Sequence, residues 1–141
     1  MLLVLEYVIF FTIYSFLGWI LDTGYRSITA GKYDPGSFFP IPFCPVYGLG
    51  ALLILFLNQF FAPLPLVVEF LLYGVILALL EFLTGVFLKR VFHKTLWKYT
   101  DTPLNIQKFT DLPHALAWGA IALFVLYELH PLIVRIVESF L

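Results

Sequence analysis

The sequence predicts an all-α, polytopic membrane bundle of about four spanning helices, and three observations carry that expectation. Of 141 residues, 62% are hydrophobic and only 12% charged, about half the charged share of a soluble domain. The mean hydropathy is +0.98. Four apolar runs reach or approach the ~20 residues that cross a bilayer, and the charges collect largely in two loops between them. The length suits a single membrane-embedded domain over residues 1–141.

The first expected span covers residues 3–21 and is interrupted only by Glu6. It has no basic leader and no small-residue cleavage site, so it reads as a retained helix rather than a signal peptide. The second, 45–61, is marginal in length. The third covers 66–88 and the fourth 112–129. The tail, 131–141, is too short to span and is expected as an interfacial helix with Arg135 and Glu138 at its polar edge.

Four crossings place the loops 22–43 and 89–111 on one side. They hold Arg26, Lys32, Lys89, Arg90, Lys94, Lys98 and Lys108, seven of the eight basic residues. The positive-inside rule makes both loops cytoplasmic and both termini external, in a plasma membrane of the bacterial inner-membrane type. So strong a bias also excludes a dual-topology antiparallel dimer. The net charge of −1 implies no attraction to nucleic acid. Cys44 is the single cysteine, so no internal disulfide can form.

The entry to the second span breaks the pattern. Residues 37–51 read SFFPIPFCPVYGLGA, with prolines at 40, 42 and 45. Proline fixes φ and removes a backbone donor, so this stretch is not one regular helix. A re-entrant segment lining a cavity and a proline-rich surface loop both fit.

Glu81 is the sharpest functional signal. A carboxylate at bilayer depth must be paired, protonated or turned to a polar cavity. Gly74, Ala78, Glu81 and Gly85 follow at helical spacing, so Glu81 shares a stripe with small residues that admit close helix approach. It faces protein, either as a helix lock bonded to Ser15, Thr84 or a tyrosine hydroxyl, or as a working group. In the first span Ser15, Gly18, Asp22 and Arg26 form a similar stripe, with Asp22 and Arg26 in the favourable i,i+4 order. Pairing the two stripes would set Glu81 one or two turns deeper than Asp22 and Arg26.

In the second long loop, Lys89, Arg90, His93 and Lys94 suit topology-setting charge or contact with anionic headgroups. Trp97 and Tyr99 suit interface anchors, and Asp101, Pro103 and Asn105 a tight turn. Asp111 is a natural N-cap for the fourth span, with Pro113 in its first turn. His114 and Trp118 share a face at the mouth of that span, where His114 fits either an interface residue or a proton-transfer group. Glu6, Glu69, Glu128, His130 and Glu138, on the other side, read as interface decoration.

No Gly-rich Walker loop is present, so the chain is not itself an ATPase. Without a His-x-x-x-His or a cysteine pair, no metal site is expected, and nothing calls for a cofactor. No G-x-S-x-G occurs, and these gaps argue against an enzyme.

The landmarks nevertheless resemble a known family. Ser15 to Asp22 (SFLGWILD) looks like the first-helix motif, including Gly18 and Trp19, of the Putative ABC-transporter type IV (CmpB-like) family. Residues 43–51 (FCPVYGLGA) resemble its cysteine-proline-tyrosine-glycine motif through Cys44, Pro45, Tyr47 and Gly48. Glu81 to Gly85 is similar to its acidic third-helix motif. Trp97 to Asn105, with Trp97 and Tyr99, and then Trp118-Gly119 match later landmarks in order. The chain departs from that pattern at Asp22, where glutamate is commoner, and at Lys98, where aspartate is usual. Lys108 and Phe109 stand where a glycine and a basic residue are expected.

The resemblance implies an integral membrane protein of several spans. Three functional readings follow. One is a transport-related protein, a small permease-like unit or a membrane subunit, using Glu81 and a cytoplasmic polar cluster of Asp22, Arg26, Asp101, Asn105 and His114. It would act as a homo-oligomer or with an ATPase or membrane partner, among membrane lipids. The others are a lipid-binding or lipid-modifying enzyme at the membrane face, and a purely structural partner.

Overall fold

The computed structural model describes residues 2–36 and 40–141, so Ser37 to Phe39, part of the expected broken entry, lie outside the described residues. Every regular element described is helical: α1 (Leu2–Ala30), α2 (Pro45–Phe61), α3 (Leu66–Phe92), α4 (Leu112–Phe124), a π turn (Val125–Leu129) and α5 (His130–Phe140). The expected all-α, multi-pass class is borne out. Three helices are long and apolar enough to cross a membrane: α1, α3 and the continuous run Leu112–Phe140. With 17 residues, α2 is the short one.

Helix ends differ from the apolar runs that announced them, each for a local reason. Helix α1 continues past Leu21 to Ala30, and Asp22 and Arg26 pair along this extension at 2.8 Å. It stops at Gly31, whose φ of 69° is the left-handed conformation glycine supplies at helix ends. Helix α3 continues past Leu88 through Lys89 and Arg90, cations favoured against the C-terminal dipole. His93 closes it at φ 56°, with its N–H returned to the Leu88 carbonyl.

The tail is helical as α5, and it follows α4 and the π turn in one continuous run. The expected span ended near Leu129, and the helix runs on through Pro131 to Phe140. Proline has no N–H for an i−4 carbonyl, and the one-residue widening of the π turn just before it absorbs that disruption. Around the second span, backbone N–H groups of Phe43, Cys44 and Tyr47 make turn-like or long-range bonds, and a regular helix begins at Pro45.

The chain divides into two compact units, Met1–Leu53 and Ile54–Leu141. In the first, α1 and the start of α2 meet at glycines. A Cβ on Gly18 would overlap the Tyr47 ring, and one on Gly48 would overlap Ser15 and reach the Phe11 carbonyl at 2.7 Å. The Cys44 N–H bonds the Ser15 carbonyl at 3.0 Å where the two segments meet.

In the second unit, α3 and α4 cross on a pair of glycines. A Cβ on Gly74 would sit 2.7 Å from the Ala115 carbonyl oxygen, and one on Gly119 2.6 Å from that of Phe70. The expected small-residue stripe is therefore the seam: Tyr73, Gly74, Leu77, Glu81 and Gly85 are buried on it. Leu71, Val75, Leu79, Leu83 and Phe87, also four apart, are exposed on another face.

Gly74→Ala should therefore destabilise the protein by about 1–3 kcal/mol, because its methyl group meets backbone that cannot rotate away. Gly24→Ala, with nothing within 4 Å, should be neutral or stabilising by up to about 1 kcal/mol. Unfolding of each variant in mixed micelles by a denaturing detergent measures both. Equal stability of Gly74→Ala and the parent chain would refute the close crossing.

Candidate functional site

Glu81 is 7% exposed in the middle of an apolar helix, so its carboxylate needs donors from neighbouring elements. It has two. The Tyr99 hydroxyl donates to Oε1 at 2.5 Å, and Trp118 Nε1 donates to Oε2 at 3.2 Å. One donor comes from the loop and the other from α4. Thr84, an expected partner, instead donates to the Leu80 carbonyl on its own helix.

Tyr99 reaches Glu81 because the loop folds back on itself. Its N–H donates to the Lys108 carbonyl at 2.8 Å. Asn105 Nδ2 donates to the Tyr99 carbonyl at 2.7 Å and to Thr102 Oγ1 at 3.0 Å, while Asn105 Oδ1 accepts from the Lys108 N–H at 2.7 Å. Asn105 is thus the clasp of the loop. Asp101, Leu104, Gln107 and Lys108 all adopt positive φ, a concentration of backbone strain held by those bonds. Phe109 closes the end of the loop against Gly85, and its carbonyl accepts from Trp97 Nε1 at 3.0 Å.

His114 stacks on the Tyr99 ring at 3.8 Å with an interplanar angle of 11°. Its Nδ1 lies 2.6 Å from Asp111 Oδ1, which also accepts the His114 backbone N–H at 2.8 Å. Asp111 is the expected N-cap of α4, and its side chain is buried. Burial alone would raise its carboxyl, but the His114 backbone and ring bonds, with Thr102, hold it below the usual carboxylate range.

In the first unit the polar residues form a separate cluster. Arg26 Nε donates to Asp22 Oδ2 at 2.8 Å, and the Tyr47 hydroxyl donates to Oδ1 at 3.3 Å. Thr23 Oγ1 accepts the Gly36 N–H at 3.1 Å, and Cys44 Sγ donates to the Gly36 carbonyl at 2.9 Å. Gly36 must lack a side chain here, since a Cβ would overlap the Asp22 carboxylate.

Of the six expected cluster residues, Asp22 and Arg26 are joined in the first unit, while Glu81, Asn105 and His114 are linked through Tyr99 in the second. Asp101 is exposed, and among the described residues its carboxylate has no hydrogen bond or ion pair. Motif positions with no assigned partner acquire one: Tyr47 binds Asp22, Tyr99 binds Glu81, and Trp97 pins the loop.

One expectation needs correcting. Glu69 is not interface decoration but is 2% exposed, and both its oxygens accept from the Tyr127 hydroxyl at 2.8 Å. Nearby, the Tyr73 hydroxyl donates to Asn58 Oδ1 at 3.4 Å. Tyr127 belongs to the π turn, which no hydrophobic periodicity announces.

Residues 9–141 match the family described as Putative ABC-transporter type IV. The chain belongs to that family. It is accordingly a multi-pass membrane protein of an ABC-transporter type. No curated protein and no solved structure matches it. Against the family pattern, Lys108 occupies a left-handed position (φ 65°) that suits a glycine, and Phe109 fills the notch at Gly85.

Tyr99→Phe and Trp118→Phe should each destabilise the chain by about 1–3 kcal/mol, the cost of depriving a buried acceptor of a donor. In a Glu81→Leu background the same changes should cost nearly nothing. A double-mutant cycle in mixed micelles reads the coupling, and strictly additive costs would show that the contacts are not made.

Asp111 makes an acid-limb prediction. A carboxyl with a depressed folded pKa contributes its full stability above the ordinary value of about 3.9 and loses it as pH falls through the lower folded value. Asp111→Asn should flatten that limb of the stability profile, and Asp111→Ala should cost about 1 kcal/mol at neutral pH through loss of the cap. An unchanged acid limb in Asp111→Asn would contradict the assignment.

Proposed function

We propose that this chain is the membrane-embedded unit of a transport assembly in which the Glu81 network couples the second long loop to the spanning helices. One observation carries the reading: a buried carboxylate in α3 takes one donor from the loop, Tyr99, and one from α4, Trp118. Any force that shifts the loop withdraws Tyr99 and changes what Glu81 faces. By the positive-inside rule that loop, with the loop after α1, lies in the cytoplasm and both termini lie outside.

The chain has no phosphate-binding loop, so an energy source would come from a partner ATPase acting on the cytoplasmic side. Four helices enclose little volume, and a pathway calls for a homo-oligomer or a membrane partner. The Asp22–Arg26–Tyr47 cluster is the first unit's polar site near the end of α1, and Arg26 offers a cation to an anionic solute or subunit there. Family membership supports transport as the broad role. The burial and pairing of Glu81 supports its place in the mechanism.

Purification of the full chain from its own membranes, followed by mass spectrometry of what co-elutes, is expected to return a stoichiometric membrane or ATPase partner. Glu81→Gln and Tyr99→Phe should leave that assembly intact while lowering its flux about tenfold, the rate equivalent of one ~1.4 kcal/mol interaction. Unchanged flux and assembly in Glu81→Gln would remove the residue from the mechanism. Loss of function only when helix faces are made bulky would make the protein a structural partner instead.

A further inference from the structure

The second loop and the end of α3 enclose a cleft of about 390 Å³ lined by Lys89, Thr95, Lys98, Gln107, Lys108 and Phe109. Its size falls in the range of small-ligand sites. Every polar lining side chain can donate a hydrogen bond, three of them are ammonium groups, and no carboxylate is present. Among the described residues, none of the three lysines has an acidic partner. Lys89 Nζ instead lies 5.9 Å over the Phe109 ring, an aromatic wall of the same cleft.

The backbone is organised to bring these cations together. The Tyr99 N–H bond to the Lys108 carbonyl sets Lys98 beside Lys108, although they are ten positions apart. Gln107 and Lys108 hold φ values of 50° and 65°. Backbone strain of this kind persists only where surrounding bonds impose it, and here the Asn105 side chain bonds the Lys108 N–H. Three like charges converge with no internal compensation, an arrangement that an external anion completes.

Depth identifies the source of the anion. Lys89 directly follows the apolar run of α3 and occupies its last turn, so the cleft opens where the hydrocarbon gives way to headgroups. Trp97, which suits that interface, donates to the carbonyl of Phe109. We propose that this cleft binds the phosphate of an anionic phospholipid from the adjacent leaflet, with Lys89, Lys98 and Lys108 as its ligands and Thr95 and Gln107 as neutral donors. This site does not depend on the transport reading, and its test reads lipid binding alone.

The test uses the full chain in detergent, with retained lipid measured by native mass spectrometry against phosphatidylglycerol, phosphatidylcholine and soluble glycerol 3-phosphate. The parent chain is expected to retain phosphatidylglycerol over phosphatidylcholine. Each of Lys89→Gln, Lys98→Gln and Lys108→Gln should weaken that retention about fivefold, and the triple variant by on the order of a hundredfold. Arg90→Gln with Lys94→Gln removes two charges from the same stretch but outside the cleft, and should change it much less.

An equal loss in that control pair would replace the site with diffuse surface charge and overturn the proposal. So would the absence of any preference for phosphatidylglycerol. Binding of glycerol 3-phosphate with the same lysine dependence would assign the cleft to a soluble phosphate ester and overturn the lipid. If the triple variant fails to fold, as read by its helical circular dichroism, the single variants decide by the same criteria.

Discussion

A carboxylate within an apolar helix is a constraint that the neighbouring elements must satisfy. Glu81 cannot turn to water without breaking the seam, and its two oxygens meet protein partners instead. That requirement places Trp118 on α4 facing α3 and draws Tyr99 inward from the loop. The loop then needs a fold that points one tyrosine at the membrane, which accounts for the Asn105 clasp and the run of positive φ values. His114, stacked on Tyr99 and tied to the Asp111 cap, fixes the ring from its other side. The α3–α4 crossing and the loop are parts of one polar network.

The glycine seam is the other half of that condition. Trp118 reaches Glu81 only if the helix axes lie close, and Gly74 and Gly119 bring backbone against backbone. In a bilayer, apolar side chains gain little by leaving lipid for protein, so close packing and interhelical hydrogen bonds hold helices together. Small residues and a buried acid on one stripe are cooperative features here. The glycines shorten the distance, and the acid gives the approach a directional bond. In the first unit Gly18 and Gly48 act alongside the Tyr47–Asp22 bond in the same way.

Much of this was legible in the sequence, and the limits have a physical pattern. Apolar runs marked the helices because bilayer thickness sets their length. The stripe through Gly74 and Gly85 marked the buried face of α3, and Asp111 before Leu112 marked a cap. Partners were harder to read, since helical periodicity says which face a residue occupies and not what it meets. Tyr99 looked like an interface anchor because tyrosine suits that depth, and only the folded loop shows its hydroxyl on Glu81. Glu69 read as interface decoration because it is one of several scattered polar groups on its side of the membrane. Its partner Tyr127 is far along the chain in a π turn, a local widening that leaves no mark on hydrophobic patterning.

The position of Glu69 has a further consequence for where motion can occur. Glu69 and Glu81 lie on the buried face of α3, twelve residues or about 18 Å apart along the axis. Glu69 is bonded to Tyr127 and Glu81 to Trp118, so the continuous helix from Leu112 is fastened to α3 at two widely separated points. Sliding or rotating one helix against the other would break a buried polar contact at each end and close backbone packing at Gly74 and Gly119. The loop meets Glu81 through the Tyr99 hydroxyl, and its left-handed residues already sit above their preferred backbone energies. The Tyr99 bond can therefore open without separating the α3–α4 crossing at Gly74 and Gly119.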